Sequence, residues 1–306
     1  MADIILHHYP SSPFSEKVRV AFGLKGLAWQ SVVIPAVMPK PDLMPLTGGY
    51  RKTPVMQIGA DIYCDTQAIL REIERRHPQH SLYPDGAAGL GEIVTIWADR
   101  LLFGPAVGVV FAMIGDKVPE AFKQDRSKFS GRDFNAERMK AALPYLHDQV
   151  RAGIGFIDSI LSDGREFLLG AKPGLADLGP YHCLWFIARN LGAEWGALGQ
   201  ATRVRQWMDR VKAIGHGTVS EIDGKAALEI AKQAAPQTKE AADANDPGGR
   251  KPGDKVAVAP DDTGRDPVSG ILVASNAEEI VIRRSDPAVG DVMVHFPRAG
   301  FMVTPA

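Results

Sequence analysis

The stretch SSPFSEKVRVAFGLKG, residues 11–26, contains the features that decide the fold of the chain. It follows a short β-prone run at residues 3–9, DIILHHY, which ends at the turn residues around Pro10. Apolar side chains then recur at helical spacing over residues 15–24, and Gly26 is placed to end the helix. The pattern predicts a strand that leads directly into a helix, with serines at the turn between them.

The sequence up to residue 82 continues with a strand, a long loop, and a strand pair that leads into a second helix. The strands are predicted at residues 29–34, 54–58 and 61–63, and the helix from Asp65 to about His77. The proline-rich loop after the first of these strands replaces a helix or holds a poor one. This order, β-α-β, loop, β-β-α, is that of a thioredoxin-like domain.

From residue 88 onwards helical periodicity dominates. Helices are predicted at residues 91–112, 136–163, 175–191, 201–214 and 224–235. The polar stretch 115–135 is predicted to be a mobile connection, and the pattern leaves its helix content open. Residues 236–254 have the composition of a linker, and 255–306 contain short β-prone runs that predict a small antiparallel sheet or barrel. The predicted fold class is α/β plus all-α: a thioredoxin-like domain at 1–82, a helical-bundle domain at 88–235 and a small all-β C-terminal extension.

Composition and charge argue against several function classes. The formal net charge of -1 gives no reason to expect nucleic acid or an anionic membrane as a partner. Two cysteines, Cys64 and Cys183, are too few for a disulfide framework. The start of the chain lacks a basic leader and no apolar run is predicted to span a bilayer, so we expect a cytoplasmic location. We expect no metal, because His7 and His8 face opposite sides of their strand.

The motif Ser12-Pro13-Phe14-Ser15 lies at the predicted start of the first helix. Glutaredoxin-like folds hold a Cys-Pro-x-Cys pair at this position, because the free N–H groups of a helix N-terminus stabilise a thiolate. Both cysteine positions are serine here, which excludes dithiol redox chemistry at this site. Ser12 can still donate a hydrogen bond to the thiolate of a bound ligand, although serine is also a preferred helix cap with a purely structural role.

Several motifs together resemble a known family. Residues 11–26 are similar to the first helix of serine-type glutathione transferases, and Thr53-Pro54-Val55 resembles the family turn whose proline is cis. Residues 167–177 are similar to the family's core-helix signature, except that Gly174 stands where Ser or Thr is usual. The resemblance covers residues 1–235, and the chain is identified as a serine-type, bacterial-like member of the glutathione transferase superfamily with an extra C-terminal β-rich domain.

The resemblance implies one catalytic residue, Ser12, which stabilises the thiolate, and a set of residues that hold the co-substrate glutathione: Lys40, Thr53, Pro54, Asp65 and Thr66. Asp65 and Thr66 would receive the γ-glutamyl end, and Lys40 the glycyl carboxylate. Arg51 and Lys52 compete with Lys40 for that carboxylate. Tyr9 competes with Ser12, because tyrosine-type members use a hydroxyl at the end of the first strand.

The implied activity is attack of the glutathione thiolate on a small hydrophobic electrophile, with conjugation, dehalogenation, ether cleavage and isomerisation left open. A thiol of pKa ~8.5 is about 3% ionised at neutral pH, and lowering that pKa by ~2 units requires about 2.7 kcal/mol. A hydrogen bond to a charged group supplies ~1.5–3 kcal/mol and a helix N-terminus ~0.3–1 kcal/mol. Ser12 therefore needs no His or Asp partner. The resemblance also implies a detoxifying homodimer.

Two other functions remain open from the sequence. The first is a non-catalytic glutathione-binding or scaffolding protein, because fold does not fix function and the C-terminal β-rich segment is a possible interaction module. The second is a thiol-disulfide oxidoreductase, which the serines at residues 12 and 15 disfavour. Only Cys64 could perform that chemistry, and a lone cysteine at a strand end is more often small and buried.

Overall fold

The computed structural model describes residues 3–306, which form one long sheet and a set of helices packed against it. The strands are β1 (Ile4–His8), β2 (Ala28–Val33), β3 (Val55–Ile58), β4 (Asp61–Cys64), β5 (Thr218–Glu221), β6 (Lys255–Pro260), β7 (Val268–Ser275), β8 (Glu279–Asp286), β9 (Gly290–Pro297) and β10 (Phe301–Pro305). The α-helices are α1 (Pro13–Leu24), α2 (Met44–Thr47), α3 (Thr66–Arg76), α4 (Ala88–Trp97), α5 (Phe103–Ile114), α6 (Glu120–Ser130), α7 (Ala136–Ala141), α8 (Leu143–Ile160), α9 (Leu175–Leu191), α10 (Gly196–Gln200), α11 (Thr202–Ala213) and α12 (Gly224–Gln233).

The N-terminal sheet follows the predicted thioredoxin-like order. β1 pairs in parallel with β2 and antiparallel with β3, and β4 pairs antiparallel with β3. Side-chain alternation along β1 separates two cores, because Ile4 and Leu6 pack with α1 and the helical domain whereas Ile5 packs with α12 and the C-terminal strands. The loop after β2 holds only the single turn α2, as predicted.

The helical domain is built around α9. Residues 88–117 form one kinked helical run in which a π-helical turn at Ala98–Leu102 separates α4 from α5. By length and composition alone this run could cross a membrane. Both α4 and α5 pack along α9 and contribute one face to the same apolar core, whereas Leu90, Ile93 and Leu101 on the other face of the run are exposed. The sequence predicted the helix but not its π-helical turn.

Three elements were not predicted: the short helix α10, the helix α6 and the strand β5. The polar stretch 115–135, expected to be a mobile connection, contains α6, whose aromatic residues Phe122 and Phe129 give it an apolar face. β5 extends the sheet by pairing in parallel with β2, with Val219 opposite Trp29. All of its residues are exposed, so no alternation of apolar and polar side chains marks it in the sequence.

The C-terminal extension is strand-rich, as predicted: the four β-prone runs are strands β6 to β9, and the possible fifth run is β10. It does not form a separate sheet or barrel. β9 pairs in parallel with β4, with Val294 opposite Ile62, so that β6 to β10 continue the N-terminal sheet into one ten-stranded sheet. An uncovered edge at β4 would expose unpaired backbone groups, and β9 removes that edge.

The segment predicted as a linker, 236–254, is tied to both parts of the sheet. The Gln237 amide and the Thr238 hydroxyl donate hydrogen bonds of 2.9 and 2.8 Å to Asp61 at the start of β4. Ala241 then forms an isolated parallel bridge with Ala274 of β7. These contacts fix the course of the segment, which a linker composition alone does not reveal.

A buried histidine joins the extension to the N-terminal sheet. His295 of β9 lies 3.2 Å from Asp61 and 3.4 Å from Glu279, and its ring stacks on Tyr63 at 4.3 Å between centroids. Burial opposes protonation, but the bonds with Asp61 and Glu279 raise the pKa of His295 above its ordinary value. Burial likewise opposes ionisation of Asp61, yet its bonds with His295 and Thr238 lower the pKa of Asp61.

We therefore expect His295→Gln to lower the free energy of unfolding most between about pH 4 and pH 6.5. His295 has a higher pKa in the folded state than in the unfolded state. Its contribution to the free energy of unfolding is therefore complete below the unfolded-state pKa and is lost as pH rises through the folded-state pKa. The Asp61 contribution is lost as pH falls through its lowered pKa. Urea unfolding of both proteins across this range measures the difference, with the exposed His147→Gln as control. A destabilisation that does not change with pH would contradict the ion pair.

Candidate active site at the end of the N-terminal sheet

Three chain segments meet where the sequence placed most of the candidate residues. The strand registers put Val55 opposite both His7 of β1 and Cys64 of β4. The next residues beyond this row are the Thr53-Pro54 bond, which is cis, and Asp65. The β1–α1 turn, the cis-proline turn and the start of α3 therefore lie side by side at one end of the sheet.

Ser12 is the N-cap of α1 and is almost fully buried. Its Oγ accepts a 3.2 Å hydrogen bond from the Ser15 amide, and Pro13 at the first helical position fits the cap because it needs no N–H partner. Within residues 3–306 Ser12 Oγ takes part in hydrogen bonding only as an acceptor. Its own proton thus remains for a ligand, and the cap and the ligand role are compatible.

Ser15, the second serine of the motif, is completely buried. Within the described residues its Oγ has no hydrogen-bond partner. An unpaired buried hydroxyl is uncommon, and here it lies one helical turn from Ser12. Ser15 therefore adds a polar atom to the environment of the helix start.

Lys40 and Thr53 are in direct contact. Lys40 is buried, and its Nζ donates bonds of 2.9 Å to Thr53 Oγ1 and 3.0 Å to the Arg51 carbonyl oxygen. Burial, together with the nearby charges of Arg126 and Arg51, lowers the pKa of Lys40 to about 8. The structure thus holds a protonatable amine beside the cis-proline turn.

Asp65 and Thr66 begin α3, which packs against α1. Asp65 has φ 76°, an uncommon left-handed conformation for a residue other than glycine, and its carboxylate accepts a 3.0 Å bond from the Gln67 amide. Burial raises the pKa of Asp65, and the nearby charges of Lys52 and Lys17 offset part of this rise. The strained backbone and the cap together fix the direction of this carboxylate.

A buried ion network that the sequence did not indicate lies between the two domains. Lys17 of α1 is fully buried and pairs at 2.6 Å with Asp99, which also bonds His182 of α9 at 2.8 Å. Although burial alone would raise it, the pKa of Asp99 is lowered by Lys17 and His182. Asp99 lies in the π-helical turn, which is not marked by any local sequence signal.

Helix α6 brings a second unpredicted group to the site. Asp125 pairs with both Arg51 and Arg126, and Arg126 donates a 3.3 Å bond to the Tyr9 hydroxyl. Phe122 lies 4.5 Å under the Arg126 guanidinium. The run Phe-Lys-Gln-Asp-Arg at residues 122–126 is the sequence feature that contains Asp125 and Arg126. The same run is equally typical of a solvent-exposed helix face.

The C-terminal extension also reaches the site. In the loop between β6 and β7, Asp262 pairs with Lys52 and Asp261 pairs at 2.7 Å with Arg100. The Gly264 amide of the same loop bonds the Phe129 carbonyl oxygen at 2.9 Å. Among the three basic candidates for a ligand carboxylate, Arg51 and Lys52 thus have protein carboxylates as partners.

Parts of the chain match known protein families, and the whole chain matches a solved structure. Residues 6–81 match the glutathione S-transferase N-terminal domain family, and residues 112–218 match a domain of unknown function (DUF7962). A GST-like protein from Pseudomonas syringae is 40% identical in sequence, the match covers 100% of both chains, and its crystal structure gives a TM-score of 0.78. The chain belongs to the glutathione transferase superfamily.

Two further relatives match a smaller share of the chain. FtsZ-localized protein A of Caulobacter vibrioides is 25% identical over 177 residues, which are 56% of this chain and 72% of that protein. A glutathione S-transferase from Rhodospirillum rubrum is 21% identical, covers 69% of this chain and 88% of its own, and shares the fold with a TM-score of 0.54. The fold class predicted from the sequence is therefore confirmed, and the full-length Pseudomonas match includes the strand-rich extension.

The two cysteines of this transferase-family chain lie away from solvent. Cys64 and Cys183 are both fully buried and unpaired. Burial raises the pKa of Cys64 well above its ordinary value, and the Asp65 carboxylate raises it further. A buried thiol that resists ionisation is a poor nucleophile, which disfavours the oxidoreductase alternative.

Proposed function

We propose that the protein is a glutathione-dependent transferase in which Ser12 activates the glutathione thiol for attack on a small hydrophobic electrophile. The observation that carries this proposal is the meeting of the β1–α1 turn, the cis-proline turn and the start of α3 at one end of the sheet. These three segments carry the residues that the family resemblance implies for the thiol, the peptide backbone and the γ-glutamyl end of glutathione.

In the proposed complex, glutathione lies along the Thr53-Pro54 turn with its γ-glutamyl end at Asp65 and Thr66. Lys40 receives the glycyl carboxylate. Arg51 and Lys52 are less suitable, because Asp125 and Asp262 already pair with them. Lys40 bonds only neutral oxygens among the described residues, so a ligand carboxylate would be its first anionic partner.

Ser12 is preferred over Tyr9 as the group that stabilises the thiolate. The Tyr9 hydroxyl accepts a bond from Arg126 on the side of the helical domain, at 3.3 Å. Ser12 stands at the helix start, where the backbone N–H groups add to the stabilisation of an anion. A thiolate at this position would accept the Ser12 proton while Ser12 Oγ keeps its bond from Ser15.

Binding of the γ-glutamyl ammonium predicts a loss of affinity in Asp65→Asn. The asparagine oxygen can still accept the Gln67 amide bond that caps α3, but the side chain no longer carries a charge. We expect the Kd for glutathione to rise by about tenfold or more, since a hydrogen bond to a charged group contributes ~1.5–3 kcal/mol. Isothermal titration of glutathione at pH 7 measures this change.

The matched control is Asp266→Asn, which removes an exposed carboxylate in the β6–β7 loop. Equal affinities of Asp65→Asn and wild type would remove Asp65 from the site. Absence of any glutathione binding by the wild-type protein would reject the proposed function and leave the fold assignment intact. Ultraviolet absorbance of the bound thiolate, recorded in the same titration, separates activation from simple binding.

A non-catalytic role is the second candidate, and a specific observation favours it. The matched relative FtsZ-localized protein A carries a name that refers to its position in the cell and not to a reaction. Glutathione binding without a thiolate signal would support a binding or scaffolding protein that uses its β-rich extension for interactions. The homodimer, the cytoplasmic location and a role in detoxification stay predictions of the resemblance and the sequence.

A further inference from the structure

Positive charge exceeds negative charge beside the proposed glutathione site. Lys40, Arg51 and Arg126 surround a single carboxylate, Asp125, whose two oxygens are divided between the two arginines. Lys40 makes no ion pair within the described residues, and the charges that act on it are those two arginines and Asp125. Three cations and one carboxylate leave two positive charges, three minus one, in a group that is largely buried.

Burial makes such an excess unfavourable unless an anion joins the group. The glycyl carboxylate of glutathione would supply one negative charge at Lys40. Arg51 and Arg126 then still share the single carboxylate of Asp125, which leaves one positive charge in excess. Arg126 is the member of the group whose side chain is most accessible, at 24% exposure, compared with 12% for Arg51.

Arg126 differs from Lys40 in the segments that it contacts. It projects from α6 of the helical domain and donates bonds to the Tyr9 hydroxyl and, at 3.0 Å, to the Ala36 carbonyl oxygen. The Tyr9 carbonyl oxygen in turn accepts the Ser12 amide bond at 3.1 Å. Tyr9 thus contacts both residues, Arg126 through its hydroxyl and Ser12 through its backbone carbonyl oxygen.

The guanidinium is also held in place before any ligand binds. Phe122 and Phe129 lie 4.5 and 5.6 Å from it, and Asp125 accepts a 3.0 Å bond from its Nη1. A cation that is oriented by its own helix and stacked on aromatic rings loses little entropy when an anion arrives. Asp125, Tyr9 and Ala36 accept three of the guanidinium's five N–H groups, so that one N–H of Nη1 and the N–H of Nε remain to donate single hydrogen bonds to a carboxylate.

We propose that Arg126 binds a carboxylate carried by the second substrate, so that the protein selects anionic electrophiles. This inference rests on the proposed function, because it places glutathione at Lys40 and Ser12. It adds the chemical class of the electrophile, which the proposed function leaves open. Arg126 acts as a specificity-determining residue and takes no part in activating the thiol.

The test uses two glutathione conjugates that differ only in charge: S-(para-carboxybenzyl)glutathione and S-(para-carbamoylbenzyl)glutathione. Isothermal titration of each into the full chain at pH 7 requires no turnover. We expect the carboxylate conjugate to bind about tenfold more tightly or better, as for a hydrogen-bonded charged group. The preference should vanish in Arg126→Gln, persist in part in Arg126→Lys, and remain unchanged in the control Arg132→Gln, which removes an exposed arginine just beyond α6.

The outcomes separate this inference from the function on which it rests. Equal binding of the two conjugates by the wild type, with glutathione itself bound, would overturn the anionic electrophile and leave the transferase proposal standing. A preference that survives in Arg126→Gln would overturn the assignment of this arginine. Failure of glutathione and both conjugates to bind would reject the proposed function and this inference together.

Discussion

Replacement of Ser12 by alanine is expected to lower kcat/KM for any electrophile that the protein accepts by about 10- to 100-fold. Loss of a ~1.5–3 kcal/mol hydrogen bond to the thiolate raises the thiol pKa by about 1–2 units. Near neutral pH the ionised fraction falls in the same proportion. The pKa is measured by titrating the ultraviolet absorbance of the bound thiolate, in which the transition should move to higher pH by the same amount.

Ser12 is also a helix cap, so the test must separate chemistry from folding. Ser12→Ala should lower stability by about 1 kcal/mol, whereas glycine at an N-cap costs only a few tenths. Ser12→Gly therefore removes the hydroxyl and keeps most of the stability, and it should lose as much activity as Ser12→Ala. Ser12→Thr, which keeps a hydroxyl, should restore part of the thiolate signal, and the exposed Ser11→Ala should resemble wild type.

The rival hydroxyl is tested by Tyr9→Phe. Because Arg126 holds the Tyr9 hydroxyl on the side of the helical domain, we expect this change to leave the pKa of the bound thiol where it is. A thiolate signal that survives in Ser12→Ala but disappears in Tyr9→Phe would transfer the activating role to Tyr9. The backbone N–H groups at the start of α1 would then be too distant or too weak to account for activation.

The sequence predicted those structural features around the candidate site that depend on local chemistry. Ser12 and Asp65 lie at the starts of helices, where the preference for capping residues and the break in periodicity are visible along the chain. The cis bond at Pro54 followed from the family turn. Each of these features is fixed within a few residues, so one sequence contains the necessary information.

The parts that were not predicted depend on contacts between distant residues. Arg126 and Tyr9 are 117 positions apart, and Lys17 and Asp99 are 82 apart. The β-prone runs of the extension identified its strands, but they do not indicate that β9 pairs with β4 as well as with β8. Edge pairing satisfies backbone groups without a side-chain signature, so only the structure reveals it.

Substitution of Asp177 by alanine is expected to be the most destabilising change in the helical domain. Asp177 lies in the first turn of α9 and is 1% exposed. Its carboxylate accepts bonds from the Leu168 amide at 2.8 Å, the Gly174 amide at 3.0 Å and the Trp207 indole at 2.7 Å. One side chain thus ties the core-helix signature to α9 and α11.

Alanine would leave these three donors buried without an acceptor. Each unsatisfied donor costs about 1–3 kcal/mol, so we expect the three together to lower the free energy of unfolding by at least about 3 kcal/mol. Urea unfolding followed by circular dichroism measures it. Asp158→Ala, which breaks the surface ion pair with Arg203, is the matched control and should cost less than about 1 kcal/mol.

The close packing around Gly174 explains why the chain has glycine where the family signature has Ser or Thr. A Cβ at Gly174 would lie 2.6 Å from Pro84 Cδ and 2.8 Å from the Leu82 carbonyl oxygen, so the usual Ser or Thr cap does not fit. Gly174 has no side chain to cap α9, and its amide instead donates a hydrogen bond to the Asp177 carboxylate. If Asp177→Ala proved as mild as Asp158→Ala, the start of α9 would be held by packing against this segment, and the carboxylate would be dispensable.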